Sequence, residues 1–306
     1  MIAPTPPLRL GTRGSPLALT QANMVADAIR AAHGAAAPEI EIVPIRTSGD
    51  RIQDRALAEV GGKALWTKEL DRALLGGEID FAVHSMKDVE THRPATIAIA
   101  ALLPRADVRD RLIGAESVAA LPQGARIGTS SPRRSAQLRA LRPDVEIVLF
   151  RGNVATRLAK LAAGEAEATL LAAAGLDRLG QAVGHAIPIE TMLPAPAQGA
   201  VGVEARADDG RVLALLGPID HAPTRRAVEA ERALLAALGA DCRSPVAALA
   251  REDGGLWTLA AELLDEAGSA RVSDAIALSE ADAPARLAAR LLDRAPARVR
   301  ALFTGP

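Results

Sequence analysis

Aromatic side chains are almost absent from this sequence: phenylalanine, tryptophan and tyrosine together make up 2% of 306 residues, and there is no tyrosine. Proteins that grip nucleic acid stack bases on rings and present a broad basic face. Here 36 lysines and arginines meet 37 aspartates and glutamates, a formal net charge of -1, so no nucleic-acid partner is expected. Cysteine occurs once, at Cys242, which rules out an internal disulfide and points to a reducing, cytoplasmic compartment. The histidines, His33, His84, His92, His185 and His221, show neither HExxH nor paired CxxC spacing, so no structural metal is expected. Apolar residues make up 49% of the chain, yet no uninterrupted run approaches bilayer length, and no membrane partner is expected. The proline-rich start, Met1 to Pro7, lacks a basic stretch followed by an apolar one, so no secretory leader is expected. A monomer is expected.

The patterning that is present alternates strands and helices. Leu8 to Leu10 reads as a buried strand, and Ser15-Pro16 opens a helix to about Ala32, serine capping it and proline filling its first position. Leu17, Met24, Val25, Ala28 and Ile29 form its apolar stripe. Ile40 to Ile45 is a β-branched strand. The polar, glycine-bearing stretch 46–62 is too long for a routine connection and reads as a mobile lid. A helix over about Ala64 to Leu75 and a strand over Ile79 to His84 follow, and that strand runs into Ser85-Met86-Lys87-Asp88.

The same order then recurs. Arg126-Ile127-Gly128-Thr129-Ser130-Ser131-Pro132 echoes Arg9-Leu10-Gly11-Thr12-Arg13-Gly14-Ser15-Pro16, and Gly164-Glu165-Ala166-Glu167 echoes Gly77-Glu78-Ile79-Asp80. Two diverged copies are expected, each a mostly parallel sheet with its ligand-facing turns beyond the carboxyl ends of the strands. After Pro218 the pattern changes to a helix from Thr224, three strand-like runs (Val246 to Arg251, Leu256 to Leu264, Ala270 to Leu278) and a final helix near Pro284. The expected fold is therefore α/β: two βαβ lobes and a small C-terminal α+β domain with a three-stranded antiparallel sheet. Its expected boundaries are 1–103 with 200–217 for the first domain, 104–199 for the second and 218–306 for the third.

Arginine is concentrated in the turns. Arg13, Arg133 and Arg134 stand beside serine-proline helix starts, where free backbone N–H groups, the positive helix end and a guanidinium fork together suit a carboxylate or phosphate. Plain capping with solvated arginines would explain one such turn; the repetition favours a ligand. Arg151 and Arg157 flank another tight turn, Gly152-Asn153. Lys87-Asp88 at a strand end is either a surface ion pair or a carboxylate that stabilises a developing positive charge. Cys242 is either a small buried hydrophobe or, in the polar loop Gly239-Ala240-Asp241-Cys242-Arg243-Ser244-Pro245, a reactive thiol. A non-catalytic binding protein for a polyanionic metabolite is the competing class.

Several segments in fixed order resemble the porphobilinogen deaminase family. They are Gly11-Thr12-Arg13-Gly14-Ser15-Pro16-Leu17-Ala18-Leu19, Gly61-Gly62-Lys63, His84-Ser85-Met86-Lys87-Asp88, Gly128-Thr129-Ser130-Ser131-Pro132-Arg133-Arg134 and Arg151-Gly152-Asn153-Val154. Ala174-Gly175-Leu176-Asp177-Arg178 and Gln198-Gly199-Ala200-Val201 complete the set. The resemblance implies lobes like those of periplasmic binding proteins and a dipyrromethane cofactor joined to Cys242 by a thioether. It implies a transferase that condenses four porphobilinogen molecules head to tail and releases hydroxymethylbilane by hydrolysis. Asp88 would be catalytic. Lys87, Ser15, Asp50, Thr129, Ser131, Arg133 and Arg134 would hold the cofactor, and Arg13, Gln21, Arg151, Arg157, Arg178 and Gln198 the substrate, with Lys63 and Trp66 in the lid. Ser48, Trp66, Glu90 and Ala240-Asp241 depart from the family pattern; proline often stands where Glu90 does.

Overall fold

The computed structural model describes residues 6–47, 67–241 and 244–303. They fall into two compact units. The first holds described residues 6–47, 67–105 and 200–225, the second 106–199, 226–241 and 244–303, so the chain leaves unit 1 after Arg105 and re-enters it at Ala200.

Unit 1 is built on a five-stranded sheet of β1 (Leu8–Arg13), β2 (Ile40–Ile45), β3 (Phe81–Ser85), β4 (Ile97–Leu102) and β10 (Val201–Arg206), in the order β2-β1-β3-β10-β4. β1 runs parallel to β2 and β3, whereas β10 runs antiparallel to β3 and β4. The helix Pro16–His33 starts as expected: Ser15 Oγ accepts from the Ala18 N–H at 3.3 Å and Pro16 fills the first turn. Its buried face is rotated slightly from the expected stripe. Ala22, Val25 and Ile29 pack on Leu10, Phe81, Val83, Val201 and Val203, while Met24 and Ala28 are only half-buried. Each fully buried aliphatic side chain of this kind contributes roughly 1.5–3 kcal/mol. Leu70 and Leu74 of the helix Lys68–Leu75 join Ile79, Ala82 and Ile97 in a separate cluster; Phe81, Ala82 and Val83 alternate between the two, so both faces of the sheet are covered. The strand expected from Ile79 begins at Phe81, because the Ile79 N–H is taken by the Ala73 carbonyl at 3.2 Å at the helix end.

Unit 2 repeats that plan. Its first sheet comprises β5 (Asp110–Ile113), β6 (Arg126–Gly128), β7 (Glu146–Val148), β8 (Ala168–Ala172) and β9 (His185–Ala186), in the order β7-β6-β8-β5-β9. Again a central strand is parallel to its two neighbours, and the fourth strand is antiparallel. The correspondence reaches single bonds. In unit 1 the Arg9 N–H donates to Asp80 Oδ2 at 2.7 Å and its guanidinium to the Gly77 carbonyl at 2.7 Å. In unit 2 the Arg126 N–H donates to Glu167 Oε2 at 2.6 Å and its guanidinium to the Gly164 carbonyl at 3.0 Å. Equivalent bonds at equivalent sheet positions are what a duplicated lobe predicts.

The second sheet of unit 2 is β11 (Val246–Asp253), β12 (Leu256–Leu264) and β13 (Arg271–Ala277), antiparallel throughout as expected. Leu234 and Leu238 from the helix Ala222–Leu238 and Leu287 and Leu291 from the helix Ala283–Arg294 pack against Leu259, Ala261 and Leu263 on one face of that sheet.

Candidate functional site

In unit 1 the carboxyl ends of β1 and β3 open into a cleft of about 60 Å³ lined by Arg13, Ser15, Leu17, Ala18, Gln21, Val83, His84, Ser85 and Asp88. The fold assembles these residues for local reasons. Arg13 is the last residue of β1, Ser15 caps the following helix, and Gln21 is on that helix's second turn, buried at 3% exposure. Ser85 ends β3, and Asp88 ends the 3-10 turn Met86–Asp88 that follows without a break. The amide of Gln21 ties the two strand ends together, its Nε2 donating to Ser85 Oγ at 2.8 Å.

The turn that carries Asp88 is seated from below. Met86 is 1% exposed and lies over Gly202 of β10, where a Cβ would stand 2.0 Å from the Met86 sulfur. Only glycine leaves room there. The Met86 N–H is held by the Ala200 carbonyl at 3.1 Å and the Val89 N–H by the Met86 carbonyl at 3.3 Å. Lys87 is half-buried beside Asp88 in the same turn. Four of the residues expected from the sequence, Arg13, Ser15, Gln21 and Asp88, thus line one cleft. Sequence reasoning passed over Ser85 and His84, although both lie within the motif that pointed to Asp88.

Unit 2 carries the remaining described residues. Ser131 Oγ accepts from the Arg134 N–H at 3.4 Å and caps the helix Pro132–Leu141, and Thr129 Oγ1 accepts from the Ser131 N–H at 3.2 Å. Arg133 and Arg134 point inward. Their side chains are 4% and 6% exposed, and they donate to the two oxygens of Asp110 at 2.8 and 2.7 Å. Gln198 completes that group, its Nε2 reaching Asp110 Oδ1 at 2.9 Å and the Val108 carbonyl at 2.7 Å. Burial works against the Asp110 charge, but Arg133 and Arg134 hold its carboxyl far below the usual carboxylate range. Burial also pulls the Arg133 guanidinium below its ordinary value, opposed chiefly by Asp110.

Arg151 is buried at the start of the Gly152-Asn153 turn, where a φ of 106° requires glycine at 152 and Asn153 Oδ1 accepts from the Thr156 N–H at 2.9 Å to cap the next helix. Arg157 Nε returns to the Gly152 carbonyl at 3.0 Å. Arg178 closes the short helix Ala173–Arg178; one of its amino groups donates to the Gly199 carbonyl at 2.7 Å, and burial lowers its pKa. The Nε atoms of Arg133, Arg134 and Arg178 are buried without a hydrogen-bond partner, so unit 2 holds donor capacity that its own acceptors do not use. Asp50, Lys63, Trp66, most of the expected lid and Cys242 lie outside the described residues. Among the described residues no cluster of histidine, cysteine, aspartate or glutamate has the makings of a metal site, and no helix is long and apolar enough to cross a membrane.

Each of the two α/β lobes ends its central strands in capped, arginine-bearing turns, and unit 1 adds a carboxylate, a set of groups whose chemistry suits a class of protein that handles anionic organic ligands. Family models narrow this. One described as "Porphobilinogen deaminase, dipyromethane cofactor binding domain" matches residues 8–214, and one for the porphobilinogen deaminase C-terminal domain matches residues 225–294. The chain belongs to the porphobilinogen deaminase family. It is 60% identical to the porphobilinogen deaminase of Sphingopyxis alaskensis over 310 residues, covering 99% of this chain and 98% of that one. It is 50% identical to the porphobilinogen deaminase of Paracoccus denitrificans over 301 residues, covering 96% of each. Among solved structures it has a distant likeness to a periplasmic sulfonate-binding protein from Methylobacillus flagellatus, with a TM-score of 0.40 and 17% identity over 76% of this chain and 67% of that one.

Proposed function

We propose that this chain deaminates porphobilinogen and joins four molecules of it head to tail on a dipyrromethane held by Cys242, then releases hydroxymethylbilane by hydrolysis. The observation that carries this reading is the unit 1 cleft, in which Asp88 lies with Arg13, Ser15 and Gln21. The residues suit the ligands. A dipyrromethane and its substrate both carry acetate and propionate groups, and each charge-assisted bond to a guanidinium contributes roughly 1.5–3 kcal/mol. The unpartnered Nε atoms of Arg133, Arg134 and Arg178 are donors of the right kind. In this reading the C-terminal part, 218–306, forms a third functional domain that supplies the tether at Cys242.

When bound, the dipyrromethane supplies a nucleophilic pyrrole carbon. Everything else falls to the protein. Asp88 stands beside the aminomethyl group of porphobilinogen and stabilises the cation that develops as ammonia leaves. Lys87, Ser15, Thr129 and Ser131, together with Asp50, orient the dipyrromethane. Arg13, Gln21, Arg151, Arg157 and Arg178 hold the carboxylates of the incoming ring. Arg133 and Arg134 contribute the Nε donors that Asp110 leaves over, Gln198 acts on the ligand through its bond to Asp110, and Lys63 and Trp66 act as lid residues. The enzyme works as a cytoplasmic monomer, with no nucleic-acid or membrane partner.

Incubation with porphobilinogen tests the proposal. The protein should generate uroporphyrin-type absorbance, and Asp88→Asn should lower kcat by about a hundredfold or more with a folded chain. Wild-type turnover by Asp88→Asn would contradict the assignment.

A further inference from the structure

One buried carboxylate in unit 1 lies against both flanks of the Asp88 turn, hydrogen-bonded on one side and within ion-pair distance on the other. Glu204, on β10, is fully buried. On one side the ring of His84, four residues before Asp88, places Nε2 3.2 Å from Glu204 Oε2. The pairing of His84 with Gly202 and of Ala82 with Glu204 makes the two side chains diagonal neighbours on one face of the sheet. On the other side Arg93, five residues after Asp88, donates from Nε to Glu204 Oε1 at 2.8 Å and from Nη2 to Oε2 at 2.9 Å. Arg93 is itself 8% exposed, and its remaining donors are used: Nη1 reaches Glu90 Oε2 at 2.7 Å and Asp71 Oδ2 at 3.0 Å. Thr67 adds a bond to Glu90 at 2.8 Å. None of these groups except His84 lines the cleft.

Resting on the reading of Asp88 as the catalytic carboxylate, we propose that Glu204, Arg93 and Glu90 are positioning residues that fix the Lys87-Asp88 turn through both of its ends. The physical case is one of constraint. The turn is a single three-residue 3-10 turn, closed by the Val89 N–H on the Met86 carbonyl, and so short a turn does not hold a carboxylate in place by itself. Glu204 sits on the strand next to β3, so it references the turn to the rigid sheet. Arg93 then draws residues 90–93 onto the same point, and the turn is spanned between His84, 3.2 Å from that carboxylate, and the Arg93 fork bonded to it. A planar fork is needed for this. A lysine ammonium cannot pair with both oxygens of Glu204 while reaching Glu90 and Asp71.

The test compares kcat, KM for porphobilinogen and the thermal midpoint of the full-length enzyme carrying Arg93→Lys, Glu90→Gln or Arg9→Gln. Arg9 pairs with Asp80 at the amino-terminal ends of β1 and β3, away from the cleft, and serves as the structural control. Arg93→Lys should lower kcat by about tenfold to a hundredfold with KM within about twofold, because misplacing a reacting group acts on the chemical step. Glu90→Gln, a near-isosteric change at a half-buried position, should lower kcat by about threefold and keeps the test alive if Arg93→Lys does not fold. Arg9→Gln, which breaks a largely surface ion pair, should leave kcat unchanged and the midpoint little altered. Unchanged kcat in folded Arg93→Lys, or in Glu90→Gln, would overturn the inference, as would a kcat loss in Arg9→Gln that matches theirs. If Asp88→Asn is inactive while both positioning variants turn over normally, this inference fails and the assignment of Asp88 stands; if Asp88→Asn is fully active, the assignment itself fails.

Discussion

The two lobes solve the same electrostatic problem with opposite hardware. Each buries one carboxylate on the strand that runs antiparallel beside its parallel core: Glu204 on β10 in unit 1 and Asp110 on β5 in unit 2. Glu204 is neutralised by a guanidinium from the segment after the Asp88 turn, so its charge constrains that segment. Asp110 is neutralised by Arg133 and Arg134, which belong to the serine-proline helix start itself. The equivalent helix start in unit 1 leaves Arg13 lining the cleft. An arginine at a repeated serine-proline helix start is therefore not automatically a ligand contact; in unit 2 two of them pair with a buried carboxylate of their own lobe.

That difference can be broken most severely at Asp110. Asp110→Ala leaves two guanidinium groups buried without their shared anion, and it should destabilise unit 2 by about 3–5 kcal/mol, read as a lower urea midpoint. A smaller loss would mean that Arg133 and Arg134 find other acceptors.

Acid sharpens the other half of the comparison. Burial alone would raise the Glu204 pKa, but His84 and Arg93 lower it from 4.5 to about 2. A depressed carboxylate contributes stability that is complete above its unfolded value and is lost as pH falls through the folded one. Unit 1 should therefore lose roughly 3 kcal/mol between about pH 4.5 and pH 2, and Glu204→Gln should remove that part of the acid slope. An unaltered slope in Glu204→Gln would assign it to other groups.

At Arg13 the expected effect falls on binding. Arg13→Lys should raise KM for porphobilinogen by about tenfold, the loss of one forked contact, with the thermal midpoint unchanged. Arg133→Lys, by contrast, should lower the midpoint as well, because that fork is shared with Asp110. If both variants behave alike, the two helix starts are equivalent after all. The smallest effect belongs to Arg126→Gln, which breaks a solvent-exposed pair with Glu167 and should leave the midpoint within the scatter of the melt.

Much of this architecture was legible in the residues. The echo of Arg9 to Pro16 in Arg126 to Pro132 marked the duplication, and Ser15-Pro16 and Ser131-Pro132 marked helix starts that the structure places there. Asp88 was legible because a charged pair at the end of an apolar strand has nowhere to go but the sheet's carboxyl edge. The inward turn of Arg133 and Arg134 was not, because Asp110 lies more than twenty residues earlier on a short strand that periodicity does not reveal. Glu204 left a signal that went unused. A lone carboxylate between Val203 and Ala205, in a strand buried on both faces, must have a cation beside it. Nothing in the sequence identifies that cation as Arg93, since contacts over such separations depend on the fold.

The tether is the point on which the account stands most directly. Intact mass of the purified, folded protein should exceed the 31.7 kDa of the chain by an organic adduct, and Cys242→Ser should abolish both the adduct and turnover. An active enzyme whose mass equals that of its bare chain would contradict it.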